Sequence, residues 1–162
     1  MVDAIQHTTN RPFSSLAVGD SDHLTHTVTE GDIRLFAASS GDNNPVHLDA
    51  EYASQTRFGH TIAHGMYSGV LVSRLLGTKF PGPGTIYLSQ TLKFCSPVSP
   101  GDTLTVSAEV ISLHPKKPVV TLACRITNQD GILVTEGESV VLAPTEQQTV
   151  EMPPLPRFEE AR

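Results

Sequence analysis

Cysteine is scarce in this chain, cations are dispersed, and no apolar run is long enough to cross a bilayer. Cys95 and Cys124 are its two cysteines, far apart and outside any paired motif. That argues against a disulfide or zinc framework and fits a reduced, cytosolic setting. The net charge is −6, with no block of like charges. Without a basic cluster the chain has nothing to track a nucleic-acid backbone, so that partner is not expected. The longest apolar stretch, Gly65 to Leu76, is too short for a membrane span and is broken by serine and glycine. The opening MVDAIQHTTNRPF lacks the apolar core of a signal peptide. A soluble, cytoplasmic protein with no membrane partner is expected.

What is present suffices for one domain with its own core. No internal repeat occurs, and the domain is expected from Phe13 to Pro144. Residues 1–12 and 145–162 are expected as flexible termini, the latter because APTEQQTVEMPPLPRFEEAR is rich in Pro, Gln and Glu.

His23 to Val28 alternates weakly and reads as a first strand. Thr29, with Asp32 three residues on, forms a capping-box-like start for a short helix with Ile33, Phe36 and Ala37 inward. Gly41 ends it, and Asp49 caps a second short helix. AHGMYSGVLVSRLLGTKF follows, with Arg74 the one charge between Ala63 and Leu76. A helix apolar on all sides must be surrounded by protein. GTIYLSQTLKF, DTLTVSAEVISL, PVVTLACRIT and ILVTEGESVVL are strand-like, and Asn128 to Gly131 marks a hairpin turn. The pattern predicts an α+β architecture: an antiparallel sheet wrapped around a long central helix. A helix lying beside the sheet in a two-layer sandwich is the competing arrangement.

The stretch SGDNNPVHLD gathers polar side chains around one proline just before the apolar helix. Pro45 fixes its own φ and biases Asn44 toward extended backbone, so the loop is stiff. A stiff loop can hold the Asp42 carboxylate and the His47 imidazole to one water, removing a proton there and delivering another to a substrate carbon. The alternative is that Asp42 caps a turn and His47 lies on the surface. His64-Gly65-Met66 stands at the start of the apolar helix, where free backbone N–H groups can stabilise charge on an oxygen. Glycine permits close approach, which suits an oxyanion hole; it equally suits tight packing.

Other motifs carry less. His60 and His64 have helical metal-pair spacing but lack the glutamate of HExxH, so no metal is expected. Ser68, in MYSGV, has no nucleophile-elbow setting. Cys95 reads as a packed strand residue.

Together, FAASSGDNNPVHLDAEYASQTRFGHTIAHGMYSG and GTIYLSQTLKFCSPVSPGDTL resemble the MaoC-like (R)-specific enoyl-CoA hydratases. The resemblance covers about Phe13 to Pro144. It implies a hot-dog fold, a homodimer joined through its sheets, and a site near the dimer interface. By it, Asp42 and His47 are the catalytic acid–base pair and the Gly65 amide holds the thioester oxygen. Asn44 supports the loop, and His64 and Ser73 line the site, Ser73 roughly 12 Å from Gly65 along the helix. Apart from the resemblance, the apolar helix and the strand from Thr85 to Phe94 are expected to shape the acyl pocket, with Leu76 as a candidate wall.

The implied substrate is a trans-2-enoyl-CoA and the product an (R)-3-hydroxyacyl-CoA. No cofactor is expected, because the thioester itself makes the alkene electrophilic. Rival readings are a thioesterase, a 3-hydroxyacyl dehydratase acting on carrier-protein thioesters, and a non-catalytic acyl-CoA-binding module. The paired acid and base argue against the last.

Overall fold

In the computed structural model, which describes residues 6–158, the chain forms one sheet-and-helix core with a small second sheet. The first strand, β1 (His7–Thr9), precedes β2 (Ser21–Thr27). Helix α1 (Glu30–Ser40) follows, opened by the expected capping box between Thr29 and Asp32. Gly41 closes it in the left-handed region at φ 77°. Next come α2 (Pro45–Leu48) and α3 (Ala50–Ser54), the latter capped by Asp49, which accepts from the Glu51 and Tyr52 N–H groups. Helix α4 (Tyr67–Thr78) is the longest helix.

Strands β3 (Ile86–Gln90), β4 (Lys93–Phe94), β5 (Thr103–Leu113), β6 (Val119–Thr127), β7 (Leu133–Leu142) and β8 (Thr149–Glu151) complete the chain. The main sheet is antiparallel in the order β2-β5-β6-β7-β3, with β4 also on β7. Along β5 and β6 buried and part-exposed residues alternate, as a half-buried sheet requires. Leu104, Val106, Val110, Val120, Leu122 and Ile126 point from these strands into the core. Leu71, Val72, Leu75 and Leu76 of α4 meet them there. Each such side chain, fully buried, contributes about 1.5–3 kcal/mol relative to exposure. This helix-on-sheet packing is the hot-dog fold.

Three expectations need correction. The single strand expected from Gly84 to Phe94 is two, β3 and β4, with a bulge between Tyr87 and Ser89. Thr91 interrupts the ladder: its N–H donates to the Glu138 carbonyl and its Oγ1 accepts from the Glu138 N–H. The apolar helix begins at Tyr67, not Ala63, and is not enclosed on all sides: Val70 is 47% exposed, and Ser73 and Arg74 are exposed with it. Finally, both segments expected as flexible termini contribute a strand. His7–Thr9 pairs with Thr149–Glu151, and Asn10 fastens the pair by donating to the Pro83 carbonyl and accepting from the Gln148 N–H. Residues 1–5 and 159–162 lie outside the described residues.

Candidate active site

Asp42 sits in the turn that Gly41 opens. One oxygen of its carboxylate accepts from the Asn44 N–H at 3.3 Å, and its own N–H donates to Ser40 Oγ. Asn44 then caps α2, accepting from the Val46 N–H, while Pro45 takes the first helical position, where its missing N–H costs nothing. Asn44 has φ −52° and ψ 125°, so its ψ lies outside the helical range, as a following proline favours. The stiff loop of the sequence is therefore half turn and half single-turn helix, and His47 lies on the helix.

The His47 ring is tied down by its Nδ1–H, which donates to the Ile62 carbonyl at 2.8 Å. That fixes the tautomer and leaves Nε2 with the lone pair. His64 is held the opposite way round: its Nε2–H donates to the Asp42 carbonyl at 2.9 Å, leaving Nδ1 bare. His64 is 3% exposed, and its Nδ1 has no hydrogen-bond partner among the described residues. The two rings stack with centroids 3.8 Å apart, and Phe36 covers the His64 ring. One side-chain ligand atom from each of Asp42, His47 and His64 falls within 4.8 Å of the other two.

A cavity of about 270 Å³ opens beside them, lined by His47, His64, Gly65, Ser68, Phe94 and Cys95 among others. Gly65 lies two residues ahead of α4 and not in its first turn. A Cβ there would meet the Phe94 ring at 3.4 Å, ordinary contact. Ser68 is buried and shares a 2.9 Å hydrogen bond with Thr135 across to β7.

The remaining sequence-predicted residues fall elsewhere. Asn44 is a helix cap outside the cavity lining. Ser73 is exposed on α4, and Leu76, at 1% exposure, belongs to the core; neither lines the cavity. Cys95, expected as a packed residue, is exposed and faces the cavity. His60 bonds to Ser99 and not to His64's neighbours.

Sequence reasoning missed Ser68, Phe94, Thr135 and the charged rim residue Arg57, which stacks on Phe58. Ser68 carried a signal: it stands three residues after Gly65, close enough for one turn, and its N–H donates to the Gly65 carbonyl at 3.1 Å. Thr135 carried none, since it reaches the site only through the pairing of β7.

A family model described as MaoC like domain matches residues 18–129. The chain is 46% identical over 132 residues to an (R)-specific enoyl-CoA hydratase from Rhodospirillum rubrum, covering 82% of this chain and 91% of that protein. It is 41% identical over 136 residues to a 3-hydroxybutyryl-CoA dehydratase of Methylorubrum extorquens, covering 84% and 86%. Among solved structures, an unliganded R-hydratase from Pseudomonas aeruginosa aligns with a TM-score of 0.92 at 47% identity, covering 96% of this chain and all of that one.

Proposed function

Since the chain belongs to the MaoC-like domain family, we propose that it is an (R)-specific enoyl-CoA hydratase, a hydro-lyase that adds water to trans-2-enoyl-CoA. The observation that carries the reading is a carboxylate within 4.8 Å of a tautomer-locked imidazole that itself lines the cavity containing Gly65.

The thioester carbonyl lies against the Gly65 N–H, which draws electron density from the β-carbon as the enolate forms. Water sits between the Asp42 carboxylate and His47 Nε2. Its oxygen adds to the β-carbon, one of its protons passes to the pair, and the pair returns one proton to the α-carbon. The sum is one water added, giving (R)-3-hydroxyacyl-CoA, and the 3-hydroxybutyryl-CoA dehydratase relative is named for the reverse direction. No helix of the described residues is long and apolar enough to cross a membrane, and a cytoplasmic enzyme is the reading that two unpaired cysteines support.

A homodimer is part of the same proposal. Strand β3 is an edge of the sheet and exposes Ile86 and Leu88, and α4 exposes Val70, with Met66 exposed at its N-cap. Apolar side chains along an open edge favour pairing with a second copy.

The test is hydration of crotonyl-CoA, followed by loss of enoyl absorbance, with the handedness of the product determined. Asp42→Asn and His47→Gln are each expected to lower kcat/KM by about 10²–10⁴-fold while far-UV circular dichroism stays unchanged. Near-normal hydration by either variant removes that residue from the mechanism. Release of free thiol with the enoyl chromophore intact points to a thioesterase instead.

A further inference from the structure

Asp42 is exposed in its turn and is not part of the cavity lining, whereas His47 and His64 are. Two of its hydrogen bonds are local: its N–H donates to Ser40 Oγ, and its carboxylate accepts from the Asn44 N–H. Neither sets where the turn stands relative to the cavity. A third does. Among the described residues, the His64 Nε2–H, donating to the Asp42 carbonyl at 2.9 Å, is the hydrogen bond that ties Asp42 to a residue of the lining.

His64 is itself firmly held. It is 3% exposed, with the Phe36 and His47 rings centred 4.7 and 3.8 Å from its own. The Ala63 N–H donates to the Val98 carbonyl at 2.8 Å, and the His64 carbonyl accepts from the Tyr67 N–H at 3.0 Å. Two residues earlier, the Ile62 carbonyl orients His47 through its Nδ1–H. The segment from Ile62 to His64 therefore holds both the imidazole and the turn that carries the carboxylate.

The other ring nitrogen points the same way. His64 Nδ1 is buried and has no hydrogen-bond partner among the described residues. A buried acceptor left bare costs stability that an apolar side chain in its place would not. Packing alone does not account for a histidine here; an N–H donated to Asp42 does.

We propose that His64 is a positioning residue for hydration, its Nε2–H pinning the Asp42 turn so that the carboxylate stays beside the His47 ring. This rests on the hydratase reading. His64 acts through Asp42 and not on the substrate. Placement matters because a shift of about 1 Å at a catalytic group can cost roughly 10²-fold in rate.

Two substitutions separate the N–H from the bulk of the side chain. His64→Leu removes the donor and fills the space, whereas His64→Gln offers an amide N–H at similar reach. With crotonyl-CoA, His64→Leu is expected to lower kcat by about 10–10²-fold with KM little changed, and His64→Gln to recover most of the loss. In the Asp42→Asn background, His64→Leu is expected to cost about twofold more at most, because the carboxylate it positions is gone. Loss by the same factor in both backgrounds marks a structural role or direct action on substrate, and overturns the proposal.

Hydrogen exchange of the Ser40–His47 segment, read without substrate, is expected to quicken in His64→Leu and to slow again in His64→Gln. Unchanged exchange also overturns the proposal. This arm needs no turnover. A wild-type chain that does not hydrate crotonyl-CoA sinks the hydratase reading, while exchange still decides whether His64 pins the turn. Should His64→Leu fail to fold, proton–nitrogen correlation spectra of the wild-type imidazoles read the same contact. The Nε2–H tautomer is expected at His64, and the Nδ1–H tautomer overturns the proposal.

Discussion

Thr29 and Asp32 show how far a single pair of residues can be read. The Thr29 hydroxyl accepts from the Asp32 N–H, and the Asp32 carboxylate accepts from the Thr29 N–H and hydroxyl. The same carboxylate meets the His26 ring at 3.1 Å. Partial burial opposes ionisation of Asp32, yet these hydrogen bonds and the His26 ring outweigh it and hold the carboxyl below its ordinary value of 3.8. A carboxyl depressed in the folded state stabilises the fold above its unfolded pKa, and that contribution is lost as pH falls through the lower folded value. Asp32→Asn is therefore expected to cost about 1 kcal/mol at pH 7. Measured by urea unfolding, its difference from wild type should shrink once the pH drops below about 4. A difference that persists unchanged at pH 2 would contradict this account. The pair was legible in the sequence because its partners lie three residues apart. His26 was not, since it arrives from a neighbouring element.

At the scale of elements, helix phase decides which residues of α4 face the cavity. Ser68 faces the cavity, and Ser73, five residues on, is turned about 140° from it; it is exposed accordingly. Leu76 is two turns beyond Ser68 and faces the sheet. Ser73 was named from the family motif and Leu76 from its place on the apolar helix, and neither reading fixes the helix's phase against the sheet. The strand pairs carry a similar lesson at Gly137, where β3 gives way to β4. A Cβ at this position would stand 1.9 Å from the Thr91 carbonyl oxygen and 2.8 Å from its carbon. Backbone cannot yield as a flexible side chain can. Gly137→Ala is expected to destabilise the fold by roughly 1–3 kcal/mol, seen as a lower midpoint in thermal unfolding. Gly77 has open space around its position, so Gly77→Ala serves as the control and is expected to leave stability unchanged or slightly raised. Equal midpoints for the two variants would mean the crossing at Thr91 relaxes freely.

For the whole molecule, the face left open on α4 and the edge strand β3 state one problem between them. Met66, at the N-cap of α4, is 58% exposed, and Ile86 and Leu88 of β3 are 57% and 54% exposed. The apolar run from Ala63 to Leu76 suggested a helix enclosed on all sides, and a single chain does not enclose it. A second copy would. Light scattering is expected to give twice the 17.4 kDa chain mass. Leu88→Asp is expected to shift the protein toward monomer, because a charge buried in an apolar interface goes unpaired. A wild-type chain that remains monomeric at micromolar concentration would leave the exposed stripe without a role in assembly.

The sequence by itself determined the kinds of element and where several of them stop. Capping residues, turn glycines and alternating strands act within a few residues, and those signals survive without knowledge of the fold. It also delivered the Asp42–His47 turn, whose stiffness is written into Pro45. Tertiary structure alone decided that His64 reaches back 22 residues to the Asp42 carbonyl. It alone put Thr135 behind Ser68, brought the two ends of the chain together as β1 and β8, and left Ser73 facing outward. Those outcomes depend on how a helix rotates over a sheet and on which strands pair. Packing sets them through contacts between distant residues, which no local pattern encodes.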